Sequence, residues 1–336
     1  MGQRRTGKDS GKPKPPHRFS VLPGQCTLRQ RIHLNPNEAE SGPPIALTNR
    51  MEWKPGGVSD DIEDRRGEGG GGFSGMGFGG RHIGIGGALV LLILSFVFHR
   101  NLFTLFLGDT DSDRPVAAST PQSTAAENTE IQFVSFVLDD VQRTWEKLLP
   151  AQGGRQYRHA KLVLFRDSVD SACGQAESAT GPFYCAQDEK VYLDLGFFDE
   201  LRGRFGAPGE FAQAYVIAHE IGHHVQKILG IEGRVQRMRS SDPSEANPLS
   251  VRLELQADCF AGIWAMSTEQ RKIVDQGDIQ AAMQAAAAVG DDRLQKMATG
   301  HVRPESFTHG SSRERTQWFQ TGLNSGQTSS CDTFAR

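Results

Sequence analysis

The residues best suited to chemistry form the run HEIGH at 219–223. Positions four residues apart lie on one face of an α-helix, so His219 and His223 can bind the same metal ion. This H-E-x-x-H spacing is typical of zinc hydrolases, in which the glutamate takes a proton from a water molecule that the metal acidifies. We therefore predict Zn2+ as the cofactor, His219 and His223 as ligands, and Glu220 as the general base.

A catalytic zinc ion needs a third protein ligand and keeps a fourth position open. His224 points about 100° around the helix from His223, which favours a core or supporting histidine over a ligand. The next apolar helical segment places Glu254 and Asp258 four residues apart. We predict that Glu254 is the third ligand and that Asp258 accepts a hydrogen bond from a ligand histidine. The alternative, two solvent-facing acids, is disfavoured by the apolar neighbours of both residues.

The elements that must position these residues can be read from the same chain. Apolar residues at helical spacing predict a helix that begins at Ile131 and ends at Pro150. The runs at 161–165 and 190–198 are predicted as strands, and the pattern is almost wholly helical from Glu210 onward. Strands early and helices late predict an α+β domain, mostly helical, with a small sheet.

One apolar segment indicates attachment to a membrane. Residues 83–98 contain no charged residue, and residues 102–107 extend the apolar stretch beyond His99 and Arg100. The uncharged run is shorter than the roughly 20 residues of a spanning helix, but these two side chains can reach an interface. We predict a transmembrane helix at 83–107. A buried core helix is the alternative, which the Gly-rich and polar flanks disfavour.

Charge on either side of this segment predicts its orientation. Arg65, Arg66 and Arg81 precede it, and three aspartates follow it closely. Because positive charge is enriched on the cytoplasmic side, we expect the N-terminus in the cytoplasm and the chain beyond about residue 108 outside. The membrane lipid would then be contacted through one span.

Composition divides the rest of the N-terminal region. Residues 1–50 carry nine basic and three acidic residues, a net of +6, whereas the whole chain has a net charge of −3. We predict that this basic extension is disordered. The acidic remainder of the chain argues against nucleic acid as the main partner, so we predict no nucleic-acid binding.

Twelve of the 38 glycines lie between Gly67 and Gly87, a density that no packed domain has. Residues 51–82 are therefore predicted to be a cytoplasmic Gly-rich arm. Residues 108–130, rich in Ser, Thr and Ala, are predicted to be a linker. The folded domain is expected to occupy residues 131–336.

Four of the five cysteines follow the predicted span, where an oxidising compartment would permit disulfide bonds. Cys173 and Cys185 bracket a short loop and are a plausible pair. Cys259 and Cys331 would then attach the C-terminal tail to a core helix. Sequence alone permits three pairings, and buried free thiols are the alternative.

A family resemblance rests on HEIGHHVQ at 219–226 followed by ELQADCFAGIWA at 254–265. These runs resemble the putative neutral zinc metallopeptidase family of bacterial membrane proteins, and are more distantly similar to integral-membrane zinc proteases that combine H-E-x-x-H with E-x-x-A-D. Further matching segments lie at 61–67, 171–185, 191–201, 288–295, 304–319 and 331–334. The resemblance implies a zincin-like catalytic domain behind one anchor in the bacterial inner membrane, with the domain in the periplasm.

Because the resemblance begins at Met51, this residue is a candidate translation start, and residues 1–50 would be an upstream extension; Met1 is the alternative. The resemblance also places the segment FTHGSSRERTQWF near the active site. His309 is therefore a candidate for stabilising the oxyanion, with Arg313 beside it, and a structural loop histidine is the alternative. In zincins the strand before the metal helix commonly pairs with an extended substrate, which makes residues 191–195 a candidate substrate edge; an ordinary core strand is the alternative.

These patterns together predict a membrane-anchored zinc-dependent endopeptidase acting on a peptide or protein substrate. Glu220 would activate water for attack on a peptide carbonyl that zinc polarises. One alternative is a non-catalytic zinc-binding envelope protein, against which the intact base argues, because a purely structural site needs none. Another is a membrane-tethered scaffold that works through the Gly-rich arm.

Overall fold

A small sheet and a larger set of helices make up the part of the chain that the computed structural model describes. The described residues are 51–67, 124–177, 181–203 and 209–335. They belong to one compact unit, and most of their secondary structure is helical. The predicted α+β class, mostly helical with a small sheet, is confirmed.

The sheet is mixed, and most of its strands are short. The strands are β1 (Ile62–Asp64), β2 (Lys161–Phe165), β3 (Ser168–Ser171), β4 (Gly174–Glu177), β5 (Phe183–Cys185) and β6 (Lys190–Asp194). Four of them follow the order β1-β2-β6-β5, with β1, β2 and β6 parallel and β5 antiparallel to β6. Strands β3 and β4 form a separate antiparallel hairpin. Because β6 lies between β2 and β5, the predicted substrate edge at 191–195 is wrong; among the described strands, β1 and β5 form the edges of this sheet.

One α-helix lies between β1 and β2 in the chain, and the other α-helices follow β6. The helices are α1 (Ala125–Leu148), α2 (Gly196–Gly203), α3 (Glu210–Leu229), α4 (Ile231–Ser241), α5 (Ala246–Gln270), α6 (Gln276–Ala288), α7 (Asp291–Thr299) and α8 (Ser312–Ser325). Helix α3 carries the HEIGH run, and α5 carries Glu254 and Asp258.

Helix α1 begins six residues before the expected start at Ile131. The side chain of Thr124 accepts the N–H of Glu127, and the Glu127 carboxylate accepts the N–H of Thr124. This reciprocal capping satisfies two backbone donors at the helix N-terminus. Residues 124–130, expected in a linker, therefore belong to the domain.

The domain also includes residues 51–67, which were expected in a separate arm. Met51 is buried, and the Trp53 ring packs on Phe133 with ring centroids 5.4 Å apart. Strand β1 pairs in parallel with β2, with Ile62 opposite Leu162. A strand of three residues, two of them charged, is too short to show the alternation of apolar and polar residues that predicts a strand. It is recognised only by its pairing with β2.

The predicted strand at 190–198 ends earlier, at Asp194. One carboxylate oxygen of Asp194 accepts the N–H of Gly196 at 2.7 Å, and the other accepts the N–H of Asp167 at 3.1 Å. A side chain that accepts an amide two residues ahead stabilises a turn. The chain therefore leaves the sheet after Asp194 and begins α2.

Close contacts at glycines set the spacing of α3, α5 and α8. A Cβ added at Gly222 would lie 3.0 Å from the carbonyl oxygen of Ala257, which explains why a glycine is tolerated in the middle of α3. A Cβ at Gly322 would overlap the carbonyl oxygen of Cys259, and one at Gly262 that of Phe319. Helices α5 and α8 therefore touch backbone to backbone.

Both predicted disulfide bonds are present. Cys173–Cys185 connects the β3–β4 hairpin to the edge strand β5. Cys259–Cys331 connects α5 to the short helical turn near the C-terminus. The second bond thus attaches the C-terminal turn to α5 at the residue that follows Asp258.

Several sequence predictions concern residues that the structure does not describe. They are the extension at 1–50, residues 68–82 of the arm, the transmembrane helix at 83–107 and residues 108–123 of the linker. In the described part of the chain, no helix combines the length and the apolar content that crossing a bilayer requires.

The close contact between α5 and α8 predicts a steric effect. Gly322→Ala should lower the free energy of unfolding by about 2 kcal/mol or more, because overpacking of a tight core typically costs about 1–3 kcal/mol. The measurement is denaturant unfolding of the full chain followed by circular dichroism. Gly233→Ala on α4 is the matched control: its Cβ would meet only the flexible end of Arg237, so helix propensity should stabilise it by up to about 1 kcal/mol. Equal midpoints for the two variants would contradict this packing.

Candidate metal centre

Helices α3 and α5 bring three predicted ligands together. His219 Nε2 lies 3.2 Å from one carboxylate oxygen of Glu254, and His223 Nε2 lies 3.4 Å from the other. The two imidazole rings are nearly perpendicular, with centroids 4.9 Å apart. One donor atom from each of these residues falls within 4.8 Å of the other two. The four-residue spacing on α3 and one carboxylate from α5 thus converge on a single point.

This donor set fits zinc. Two imidazole nitrogens and one carboxylate oxygen are donors that catalytic zinc sites use. In His219 and His223 the Nε2 atoms face the carboxylate, while Nδ1 of each ring is engaged elsewhere. A ligand histidine whose other nitrogen is hydrogen-bonded has a fixed tautomer and ring orientation.

The Nδ1 atom of His219 lies 2.8 Å from the Asp258 carboxylate, as the sequence predicted. Asp258 is fully buried and also accepts the hydroxyl of Tyr215 at 2.5 Å. Arg315 donates to both of its carboxylate oxygens, at 2.8 and 3.0 Å. This carboxylate is therefore fixed by three donors besides the histidine it orients.

His223 is held by a different chain of contacts. Its Nδ1 lies 2.9 Å from the amide oxygen of Gln226. The Gln226 amide nitrogen donates to the carbonyl of Leu253 at 2.7 Å and lies 3.2 Å from the side chain of Gln256. Gln256 in turn donates to the carbonyl of Cys331. The ring of the second ligand is thus connected to α5 and to the disulfide-bonded C-terminal turn.

Sequence reasoning missed Tyr215, Gln226 and Arg315. It named Arg313, which is exposed, whereas Arg315 is buried. Two positions apart on a helix point to different faces. Helical spacing from His219 and His223 would have revealed the first two, but Arg315 depends on how α8 packs.

The charges of the cluster favour a bound cation. Burial opposes a charge on His219, but the Asp258 and Glu254 carboxylates outweigh that effect and raise its pKa to about 10. Burial also opposes ionisation of Glu254, yet the two imidazoles hold its pKa well below the usual range. A proton and a cation compete for the same imidazole nitrogens. Metal binding should therefore release protons and weaken as the pH falls.

The expected base lies in the same cleft as these ligands. Glu220 is only 7% exposed, and burial raises the pKa of its carboxyl although the neighbouring imidazoles oppose the shift. A carboxylate with a raised pKa is better suited to accept a proton near neutral pH. Glu220, His219, His223 and Glu254 all line one cavity of about 730 Å³.

Apolar side chains from two elements lie on the walls of this cavity. Phe183 and Tyr184 of the edge strand β5 lie on it, as do Leu294 and Met297 of α7. His309 also lines it, with its side chain about half exposed. The predicted active-site histidine therefore reaches the same cavity as the ligand triad.

His224 has a supporting position. Its Nε2 donates to the backbone carbonyl of Arg158 at 2.8 Å, and its Nδ1 lies 2.9 Å from the hydroxyl of Tyr184. Burial lowers the pKa of this histidine, so the neutral ring accepts the tyrosine hydroxyl. His224 therefore connects α3 to β5 and is not part of the ligand triad.

The role of Asp258 generates a prediction. Asp258→Asn should lower zinc affinity by about 10- to 100-fold, because the amide removes the charge that orients His219. Competition with a chromophoric chelator measures this affinity. Asp140→Asn is the matched control, since Asp140 is also buried and paired with an arginine, Arg271, but lies outside the cluster. If both variants bind zinc as the wild type does, Asp258 has no such role.

Comparison with known proteins agrees with the resemblance noted from the sequence. The profile of the family described as "Putative neutral zinc metallopeptidase" matches residues 51–334. The chain is 43% identical over 291 residues to the uncharacterized protein YpfJ of Escherichia coli (strain K12), covering 85% of this chain and 99% of that protein. It is also 43% identical over 208 residues to the uncharacterized protein Rv2575 of Mycobacterium tuberculosis (strain ATCC 25618 / H37Rv), covering 59% of this chain and 68% of that protein.

No solved structure matches the chain. The family match spans the described domain, including β1 and the helices that carry His219, His223 and Glu254. The chain therefore belongs to the putative neutral zinc metallopeptidase family.

Proposed function

We propose that the protein is a zinc-dependent endopeptidase. The observation that carries this proposal is the position of Glu220, which lines an open cavity together with two imidazoles and one carboxylate that fit zinc. A structural zinc site is closed and needs no base. A non-catalytic zinc-binding protein is therefore the weaker candidate.

The residues around the cluster have separate tasks in this proposal. When bound, zinc supplies Lewis-acid chemistry, which acidifies water and polarises a peptide carbonyl. Glu220 accepts a proton from the attacking water and passes it to the leaving amine. Asp258 and Gln226 hold His219 and His223 in their ligand tautomers. His309, on the cavity wall, is the candidate donor to the carbonyl oxygen of the scissile bond.

The edge strand suggests how a peptide would bind. Strand β5 pairs with β6 along one side, and its residues Phe183 and Tyr184 line the cavity. An extended peptide can add to a free strand edge through backbone hydrogen bonds. We propose that the substrate binds along β5, with apolar side chains against Leu294 and Met297. This assigns to β5 the role that sequence reasoning gave to residues 191–195.

The proposed location follows from the disulfide bonds and from β1. Disulfides persist in oxidising compartments, which supports a domain outside the cytoplasm. A chain that crossed a bilayer once between residues 67 and 124 would separate β1 from β2, which are paired in one sheet. We therefore propose that residues 51–67 share the compartment of the domain, in place of the cytoplasmic position expected from charge.

The peptidase proposal is tested by Glu220→Gln in the zinc-loaded full chain. We expect unchanged zinc content and a loss of about 10²- to 10⁴-fold in the rate of casein cleavage, since the base is removed. Glu232→Gln is the control, because Glu232 lines the same cavity but pairs with Lys227. Equal rates for the wild type and Glu220→Gln, or a zinc-loaded wild type that cleaves nothing, would refute the proposal.

The location is tested by cysteine labelling in intact spheroplasts. In a background with Cys26→Ser, exposed positions are replaced one at a time, by Val58→Cys in the N-terminal stretch and Met238→Cys in α4. We expect a membrane-impermeant maleimide to label both variants without lysis. Labelling of Met238→Cys alone in intact cells would place residues 51–67 across the membrane and contradict the shared sheet.

A further inference from the structure

Asp291, the first residue of α7, is hydrogen-bonded to the backbone of the loop that carries His309. One carboxylate oxygen of Asp291 accepts three consecutive backbone N–H groups, from Thr308 at 2.7 Å, His309 at 2.6 Å and Gly310 at 3.1 Å. The backbone N–H of Asp291 donates back to the carbonyl of Gly310 at 2.9 Å. Asp291 is 8% exposed. A buried carboxylate that receives three amides fixes the backbone of the loop closely.

The other oxygen of the same carboxylate faces the histidine ring. His309 Nδ1 lies 3.2 Å from Asp291 Oδ1 and 3.0 Å from Thr308 Oγ1. Since a nitrogen facing a carboxylate donates to it, Nδ1 carries a hydrogen and the ring is turned with Nε2 away from Asp291. Among the described residues, no hydrogen-bond partner lies on Nε2. The ring therefore offers its second nitrogen to the cavity that it lines.

The charge of Asp291 also influences the proton on this ring. The hydrogen bond that Asp291 accepts from His309 raises the pKa of the ring. Burial and the positive charge of Arg315 oppose the shift, and the Glu254 carboxylate adds to it. A ring that keeps both protons to higher pH has an Nε2–H to donate. That donor suits a carbonyl oxygen on which negative charge develops during attack by water.

We propose that Asp291 is the positioning residue of the site, holding the His309 ring so that its Nε2–H meets the carbonyl oxygen of the bound peptide. The assignment rests on the peptidase function proposed above. The cleft would then contain two aspartate–histidine pairs. Asp258 orients the ligand His219, and Asp291 orients His309 toward the substrate. Asp291 itself touches neither the substrate nor the metal ligands.

The neighbouring acid offers a matched control. Asp292 Oδ1 accepts the N–H and the hydroxyl of Ser312, each at 2.7 Å. It fastens the end of the same loop but makes no contact with the His309 ring. Asp291→Asn and Asp292→Asn therefore both weaken the attachment of the loop, and only the first changes the charge beside the histidine.

Peptide cleavage by four variants tests the assignment: Asp291→Asn, Asp292→Asn, His309→Gln and the double variant Asp291→Asn/His309→Gln. We expect kcat to fall about 100- to 1000-fold in His309→Gln and about 10- to 100-fold in Asp291→Asn, with KM and zinc content little changed. The double variant should be no slower than His309→Gln. A double variant in which the two losses multiply would overturn the assignment, because Asp291 would then act independently of the ring.

A second readout does not depend on cleavage. The pKa of His309, measured by NMR on the zinc-loaded full chain, should fall in Asp291→Asn and stay at its wild-type value in Asp292→Asn. The alkaline limb of kcat should move to lower pH in Asp291→Asn for the same reason. An unchanged His309 pKa in Asp291→Asn would overturn the positioning role even if the protein proved inactive, whereas inactivity with the expected pKa change would count against the peptidase function alone.

Discussion

A buried carboxylate, Asp258, joins the three helices on which the metal centre depends. It lies on α5 and accepts hydrogen bonds from His219 and Tyr215 of α3. It also accepts hydrogen bonds from two guanidinium nitrogens of Arg315, on α8. Burial alone would raise its pKa, but Arg315 and His219 hold it below the usual range. A buried charge persists only when it is paired and hydrogen-bonded. The ionised carboxylate, and with it the orientation of His219, therefore requires the correct packing of all three helices.

The helix packing that supplies those partners leaves little room for larger side chains at the contact. Backbone contacts at Gly262 and Gly322 set the distance between α5 and α8. At this distance the Arg315 side chain can hydrogen-bond directly to Asp258. The Cys259–Cys331 bond adds a covalent connection in the same region, because the carbonyl oxygen of Cys259 is the atom that Gly322 contacts. The other ligand histidine is connected through Gln226 and Gln256 to the carbonyl of Cys331. The contacts that pack the core helices therefore also fix the positions of the ligand histidines.

The sequence predicted what local spacing encodes and missed what distant pairing decides. The ligand triad and Asp258 each follow from residues four apart on one helix, and the structure brings them together. Arg315 was confused with Arg313, because choosing between them requires the packed face of α8; Phe319 and Gly322, four and seven residues on, mark that face. The cap formed by Thr124 and Glu127 was present in the sequence, but its polar surroundings resembled a linker. Strand β1 had no local signal, since its partner β2 lies about a hundred residues away.

That separation between β1 and β2 also bears on how the domain is made. Residues 51–67 leave the ribosome long before residues 161–165. Strand β1 is therefore unpaired while about a hundred residues are synthesised. Pairing between segments so far apart is slow because the intervening loop must close first. When β1 docks, it covers the outer edge of β2 and becomes one of the two edge strands of this sheet, opposite β5. The first described strand to be synthesised thus depends on partners that follow about a hundred residues later, and the sheet that carries β5 to the cleft is complete only after β6 has been synthesised.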